Sequence, residues 1–141
     1  MRKHAALWCV FVAFYLLNDL VMLARIEHLP EHVLGMRATG KVVDTDYHNV
    51  LFPAFTLYRQ QNEWLYYIMV IETPIGNFSI EALLNDMVLG FQYFTRWKKV
   101  AIVSAERGVI TFTNTVGKLL PGEYRGFHLS EQEKAFKWVS S

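Results

Sequence analysis

The stretch WLYYIMVI, residues 64–71, is almost wholly apolar and rich in aromatic and β-branched side chains. A strand with one face in water alternates apolar and polar residues, so this unbroken run predicts a strand that is covered on both faces. Residues 100–103, VAIV, have the same character. We therefore expect the two segments to form adjacent central strands of one sheet.

Segments with strand and helix periodicity alternate on either side of this stretch. Residues 23–29, 33–39 and 124–129 are typical of further strands, and the turn at Pro30 and Glu31 makes the first two a hairpin. A helical stripe follows Asp44, with Pro53 expected to kink or divide that helix. The other predicted helices have apolar stripes at Ile80, Leu83, Leu84, Met87, Val88, Phe91 and Phe94 after a Ser79 cap, at Val109, Phe112, Val116 and Leu119, and at Ala135, Phe136 and Val139 after a capping box at Ser130–Glu133.

The order β-β-α-β-α-β-α-β-α predicts an α/β fold. Its sheet is expected to be mixed but mostly parallel, with an initial antiparallel hairpin and flanking helices. All of these elements lie within residues 22–141, which we predict to be one domain. We assign a packing role, rather than a ligand cage, to the aromatic side chains Trp64, Tyr66, Tyr67, Phe91, Tyr93 and Trp97.

Composition restricts the functional classes. The chain has 141 residues, a formal net charge of +1, 52% hydrophobic and 19% charged residues, and one cysteine. The balanced charge argues against nucleic-acid binding, and the apolar content argues against disorder. A single cysteine excludes an intramolecular disulfide and any site with several thiolate ligands.

The first 21 residues differ from the rest of the chain. A short basic cluster precedes an unbroken apolar run at residues 5–17, which predicts an N-terminal apolar helix. Three interpretations remain open: an extension from an upstream start, a membrane anchor, or a helix that packs on the domain. We expect a cytoplasmic protein that is membrane-associated if residues 1–21 are present in its mature form.

Two motif matches lack the structural context that their chemistry needs. The segment from Gly35 to Val42 resembles a phosphate-binding loop but ends in valine, and it lies where a strand is expected. The segment from His28 to His32 spells an inverted zinc-peptidase motif, but Pro30 interrupts the helix that would align its histidines. We predict no catalytic residues, no cofactor and no metal.

The chain from residue 22 to residue 138 resembles the SpoIIAA-like family of small bacterial STAS-type domains, which are related in fold to anti-sigma-factor antagonists and lipid-binding CRAL-TRIO domains. The resemblance lies in the segments Ala24-Arg25-Ile26-Glu27, Val33-Leu34-Gly35, Gly40-Lys41-Val42, Asp46-Tyr47, Pro53-Ala54, Ser79-Ile80-Glu81-Ala82-Leu83, Arg96-Trp97-Lys98-Lys99-Val100-Ala101-Ile102-Val103 and Phe136-Lys137-Trp138. It implies a STAS-like domain with a binding or regulatory role and no enzymatic activity. The implied partner is a protein or a lipophilic small molecule, and a homo-oligomer is compatible with it. The alternatives are a membrane-tethered sensor or scaffold and a small enzyme with an unrecognised pocket.

The resemblance also directs attention to the loop after the central strand. In STAS domains proper, a serine that begins the next helix is phosphorylated, and this switches partner binding. The closest hydroxyl here is Ser79, although the Asp-Ser motif of the antagonists is absent. Ser79 is therefore the candidate phosphorylation or partner-switch position, with a helix cap as its structural alternative. Thr73, Asn77 and Phe78 form the candidate binding loop.

Overall fold

A computed structural model describes residues 22–79, 90 and 92–141. Its strands are β1 (Leu23–Arg25), β2 (Val33–Ala38), β3 (Leu65–Ile71), β4 (Trp97–Ser104) and β5 (Glu123–His128). Helix α1 consists of three contiguous pieces, Asp44–Asp46, Tyr47–Leu51 and Phe52–Gln61, and is followed in chain order by α2 (Arg107–Gly117) and α3 (Gln132–Ser140). Short 3₁₀ turns occupy Ile75–Asn77 and Leu129–Glu131.

The strands form one five-stranded sheet in the order β1-β2-β3-β4-β5. β1 is antiparallel to β2, and the remaining pairs are parallel. The predicted α/β class, the initial hairpin and the adjacency of β3 and β4 are therefore confirmed. Ile68 pairs with Ala101 across β3 and β4, and both side chains are fully buried.

Trp64 does not belong to the central strand. It precedes β3, and 49% of its surface is exposed. The ammonium of Lys98 lies 5.2 Å from the centroid of its ring. The prediction that Trp64 packs in the core is wrong, because the strand begins one residue later and leaves this indole in the preceding turn.

The two faces of the sheet are covered by different helices. Parallel strands that follow one another in chain order, joined by right-handed crossovers, place their connections on one face. This first face carries Leu34, Met69 and Val100, which cluster with Leu51 and Phe55 of α1. The second face carries Ile68, Val70, Ala101, Val103 and Phe127, and these pack against Ala135, Phe136 and Val139 of α3.

Pro53 divides α1 as expected. The piece Tyr47–Leu51 is a π-helical turn, in which the N–H of Phe52 donates to the carbonyl of Tyr47. Regular α-helical geometry resumes at Phe52, with Pro53 in its first turn. Proline lacks an N–H, and it is tolerated in the first turn of an α-helix because no such donor is needed there. The π-helical turn before Phe52 thus allows the chain to continue as a helix through Pro53.

Helix α2 approaches β5 so closely that glycine is required at the contact. A Cβ atom on Gly126 would lie 2.7 Å from the carbonyl oxygen of Ile110 and 2.8 Å from its Cα. This contact holds the backbone of Ile110 against the strand, whereas Phe112 is 68% exposed and Leu119, in the turn after α2, is 83% exposed. The predicted inward stripe is therefore wrong for Phe112 and Leu119, although Val109 and Val116 are half-buried.

The Gly126→Ala variant is expected to lower the free energy of unfolding by about 1–3 kcal/mol, because its methyl group would push α2 away from the sheet. Urea denaturation of the two proteins measures this difference. Gly76→Ala is the matched control, since a Cβ at Gly76 has no neighbour within 4 Å. Equal loss of stability in both variants would contradict the close contact.

The last helix begins differently from its predicted capping box. The N–H of Ser130 donates to Nδ1 of His128 at 3.1 Å, and the N–H of His128 donates to the Glu131 carboxylate at 3.3 Å. The reciprocal cap is thus formed by His128 and Glu131 rather than by Ser130 and Glu133, because a 3₁₀ turn precedes the α-helix. The predicted burial of Ala135, Phe136 and Val139 is confirmed.

The hydroxyl of Tyr58 joins three parts of the chain at the amino end of the sheet. It donates to the carbonyl of His32 at 2.6 Å and accepts from the N–H of Tyr66 at 2.7 Å. Tyr58 is only 4% exposed. Burial raises the pKa of Tyr58 to about 12, with the hydrogen bond from Tyr66 acting in the opposite direction. The folded protein therefore holds this proton more tightly than the unfolded chain does.

This difference predicts how stability depends on alkaline pH. The contribution of Tyr58 is complete below pH 10.0, the pKa of an unburied tyrosine, and is lost as the pH rises towards about 12. Tyr58→Phe should lower the free energy of unfolding by about 1–3 kcal/mol at neutral pH, because it leaves the His32 carbonyl and the Tyr66 N–H without this partner. Denaturation of both proteins between pH 8 and about 11 should show their stabilities converging. A difference in stability between the two proteins that stays constant over this pH range would contradict the raised pKa of Tyr58.

Two predicted segments lie outside the described residues: the apolar run within residues 1–21 and most of the helix predicted after Ser79. Within the part that the structure describes, no helix has the length and apolar content needed to span a bilayer. The boundary before residue 22 stays a prediction.

Candidate functional site

The loop after β3 lies at the carboxyl edge of the parallel strands, where open α/β sheets usually bind their ligands. It begins at Glu72, whose N–H donates to the carbonyl of Ala38 at the end of β2. It continues through the 3₁₀ turn Ile75–Asn77 to a bridge between Val42 and Phe78. The candidate loop residues Thr73, Asn77 and Phe78 are thus brought together at this edge.

Side chains within the loop hold its conformation. The Asn77 amide donates to the Thr73 hydroxyl at 2.6 Å, and Thr73 is 6% exposed. Phe78 is buried in the core of the first face. The side chains of Thr73, Asn77 and Phe78 therefore bond or pack within the loop and the core, and they hold the conformation of the loop.

A second set of contacts fixes the loop to its neighbours. The N–H of Ile75 donates to the Glu106 carboxylate at 2.8 Å, just before α2. Glu106 is positioned in turn by its N–H, which donates to the hydroxyl of Ser104 at 3.1 Å. Ser104 ends β4 and is almost fully buried. These two bonds therefore attach the loop, which follows β3, to the carboxyl end of β4.

Ser79 is the last residue of this loop that the structure describes before residue 90. It is half-buried, and its N–H donates to the carbonyl of Val42 at 2.8 Å. The backbone of Val42 also donates to the carbonyl of Asn77 at 3.0 Å. The backbone at Ser79 is consequently fixed against the segment that precedes α1.

The neighbouring surface contains an ion pair between β2 and the start of the loop. Arg37 of β2 pairs with Glu72, and its Nη1 also donates to Oε1 of Gln132 at 3.2 Å. Gln132 begins α3, so this arginine joins the sheet to the helix on the second face. Because both charged side chains remain partly exposed, the pair contributes little net stability.

The structure separates the residues of the two motif matches. His32 Nε2 donates to the carbonyl of Ser140 at 3.0 Å, whereas the ring of His28 packs against Phe136 with centroids 5.4 Å apart. Among the described residues, no group of three His, Cys, Asp or Glu side chains is arranged to hold a metal. Gly40 occupies a turn with φ of 62°, and the helix begins only at Asp44, so this segment does not open a helix as a phosphate-binding loop does.

A groove that sequence analysis missed runs along the free edge of β5. It has a volume of about 520 Å³ and lies between α2 and α3. Six of the residues that line it are Asn114, Gly117, Lys118, Tyr124, Arg125 and Trp138. Burial raises the pKa of the Tyr124 hydroxyl. The sequence signal for this groove was weak, because it depends on which strand forms the edge of the sheet.

Comparison with known proteins identifies the family. The sequence matches the family profile described as SpoIIAA-like over residues 33–140, which is most of the chain. The chain belongs to the SpoIIAA-like family. The family match includes β2 through α3 and contains both the loop and the groove, while β1 lies before it.

One solved structure similar to this SpoIIAA-like chain is a protein of the DUF3478 family with a SpoIIAA-like fold from Shewanella loihica PV-4. The two are 19% identical, the alignment covers 83% of this chain and 93% of that chain, and the TM-score is 0.62. At this identity the similarity establishes the fold alone. No curated protein matches the sequence significantly.

Proposed function

We propose that this SpoIIAA-like protein is a non-catalytic binding domain that engages a protein partner through the loop at residues 73–79. The observation that carries this proposal is the hydrogen bond between Ile75 and Glu106, together with the one between Asn77 and Thr73. A loop fixed in this way loses little conformational freedom when a partner binds, so less binding free energy is lost in ordering it.

The outer surface of the loop suits a protein better than a small ion. Pro74 and Gly76 are exposed, and Ile75 is half-buried. Val43, in the segment next to Phe78, is 39% exposed. The apolar side chains of Ile75 and Val43 offer shape and apolar contact, which protein partners use at the centre of an interface.

Photocrosslinking tests this surface. A benzophenone amino acid replaces Gly76, where an added side chain meets no atom within 4 Å, and the variant is expressed in its native host. We expect a discrete protein adduct that Asn77→Ala greatly reduces, because Thr73 then loses its partner and the loop loosens. The same amino acid at Glu133, an exposed position on α3, is the control.

Three results would contradict the proposal. Equal adducts at positions 76 and 133 would show that contact with the loop is not selective. An adduct that persists unchanged in Asn77→Ala would show that the loop conformation is irrelevant to it. A lipid-sized mass on the position-76 variant would favour the lipophilic-ligand alternative over a protein partner.

We also propose that Ser79 regulates this binding through phosphorylation. A phosphate would add about −1.5 to −2 charges next to the apolar side chain of Val43, which disfavours an apolar contact there. The position is supported by the backbone hydrogen bond to Val42, which fixes Ser79 next to the loop.

Two substitutions at Ser79 separate regulation from a purely structural cap. In the photocrosslinking experiment, Ser79→Asp should lose the adduct and Ser79→Ala should retain it. A helix cap predicts a different pattern: Ser79→Ala lowers stability by about 1 kcal/mol, and Ser79→Asp preserves it, because aspartate also caps helices. Thermal melting of both variants checks this second pattern. Photocrosslinked adducts of equal yield from Ser79→Asp and Ser79→Ala would contradict the regulatory role.

A further inference from the structure

An exposed aromatic surface lies at the amino edge of the sheet, where β3 and β4 begin. Trp64 precedes β3 and is 49% exposed, and Phe94, in the turn that precedes β4, is 38% exposed. The two turns are joined, because the N–H of Leu65 donates to the carbonyl of Arg96 at 2.9 Å. Two large exposed rings on adjoining turns indicate a surface that contacts another molecule.

Two arginines border the turn that carries Phe94. The guanidinium of Arg96 lies 6.0 Å from the ring centroid of Tyr93, and that of Arg59, near the end of α1, lies 5.7 Å from the same centroid. Arg96 also donates to the backbone carbonyl of Glu63 at 2.9 Å, which links this turn to the one before β3. These cations are therefore held beside the exposed rings.

A lysine is directed towards the other exposed ring by an irregularity in the sheet. The register between β3 and β4 shifts after the pair formed by Leu65 and Trp97, which leaves Lys98 as an extra residue in β4. A bulge of this kind changes the direction of a side chain. The ammonium of Lys98 consequently lies over the ring of Trp64.

Positive charge is concentrated at this edge. Residues 59–64 and 92–99, which contain both turns, include one acid, Glu63, and four cations: Arg59, Arg96, Lys98 and Lys99. The formal net charge of the whole chain is +1, so the rest of the chain is net negative. An anionic surface is therefore attracted to this edge in preference to the others.

An aliphatic side chain at the same edge distinguishes between anionic partners. Leu119, in the turn between α2 and β5, is 83% exposed. This connection lies against the start of β4, because a Cβ on Gly122 would overlap the carbonyl oxygen of Trp97. Nucleic-acid bases stack on aromatic rings and guanidinium groups, and a leucine offers no such surface. An anionic bilayer accommodates both kinds of side chain, because its headgroups attract cations and its interfacial region accepts amphipathic and apolar groups.

We infer that the amino edge of the sheet attaches this protein peripherally to anionic phospholipid membranes. Trp64, Phe94 and Leu119 enter the interfacial region, and the neighbouring cations lie at the headgroups. The three apolar side chains stand on separate turns, so a fluid bilayer accepts each of them without the closely matched surface that a protein partner would need. The loop at residues 73–79 lies at the opposite edge of the sheet and stays accessible to its own partner.

A fluorescent probe at each edge tests the inference in the full-length chain. The single cysteine, Cys9, is changed to serine, and a nitrobenzoxadiazole dye is attached through Thr95→Cys, at an exposed position next to Phe94. Vesicles that contain phosphatidylglycerol should increase the fluorescence of the dye and shift it to the blue, because the dye enters a less polar environment. Vesicles of phosphatidylcholine alone should not. The matched control is the same dye on Thr45→Cys, in the first turn of α1 at the carboxyl edge, and it should not respond.

The two probe positions also separate this surface from residues 1–21. Those residues join the domain at Met22, whose carbonyl accepts from the N–H of Thr39 just beyond the end of β2, at the carboxyl edge. Attachment through residues 1–21 alone would give vesicle binding without a response at position 95, or with the response at position 45 instead. Either result would overturn the inference.

Substitutions identify the groups responsible, with vesicle affinity measured from the dye at position 95. Trp64→Ala combined with Phe94→Ala should weaken binding at least about tenfold, because apolar contact with the bilayer is lost. Lys98→Glu should also weaken it at least about tenfold, through repulsion by the headgroups. Phe112→Ala and Lys41→Glu are the matched controls, since both positions are exposed and lie outside this edge. Thermal melting checks that each variant is folded.

Several results would contradict the inference: no response at position 95, an equal response to vesicles of phosphatidylcholine alone, unchanged affinity in folded edge variants, or an equal loss of affinity in the two controls. Anisotropy of a labelled oligothymidine is a separate measurement. Saturable binding that the Trp64 and Phe94 substitutions abolish, without any response to vesicles, would show that the edge binds single-stranded nucleic acid and would also overturn the inference.

Discussion

The direction in which the chain advances across the sheet determines the rest of the architecture. β2, β3, β4 and β5 are parallel and follow one another in chain order, and right-handed crossovers between strands in this order favour one face of the sheet, the face on which α1 packs. The other face still carries apolar side chains, among them Ile68, Val70 and Val103. Burying each such side chain contributes about 1.5–3 kcal/mol, and α3 provides the helical cover that buries them.

Helix α3 is consequently held at both ends. At the carboxyl edge, Arg37 bonds to Gln132 in the first turn of the helix. At the amino edge, His32 donates to the carbonyl of Ser140, and the ammonium of Lys99 donates to the carbonyl of Trp138 at 3.1 Å. A cation at the last carbonyls also interacts favourably with the helix dipole. The same constraint leaves β5 at the edge of the sheet, and the groove is the space between α2, β5 and α3.

Sequence patterns predicted the elements that are buried in a uniform way along their length. β3 and the apolar part of β4 are covered on both faces, so an unbroken apolar run identified them. The stripe of α3 was equally clear, because the whole helix packs on one face of the sheet. The loop at residues 73–79 was located from its turn residues, but the hydrogen bonds from Asn77 to Thr73 and from Ile75 to Glu106 depend on side-chain geometry that composition does not reveal.

The orientation of α2 was not predictable from hydrophobicity. Its inward face is determined by the backbone contact between Ile110 and Gly126, and a glycine carries no apolar signal. Phe112 fits a helical stripe but lies on the exposed side of α2, and Leu119 lies in the turn after the helix has ended. The capping box was misassigned because a 3₁₀ turn precedes α3, and a histidine ring nitrogen caps that turn at a position where serine is the usual residue. The groove depends on the strand order, which no local pattern contains.

The reliance of the second face on α3 has a consequence for the synthesis of the protein. Proteins emerge from the ribosome from the amino terminus at about 5–20 residues per second, and the strands of this sheet can pair in the order in which they emerge. Throughout that interval Ile68, Val70 and Val103 lack the helix that buries them. The nascent sheet therefore exposes one apolar face until α3 has left the ribosomal tunnel, and exposed apolar surface of this kind favours aggregation.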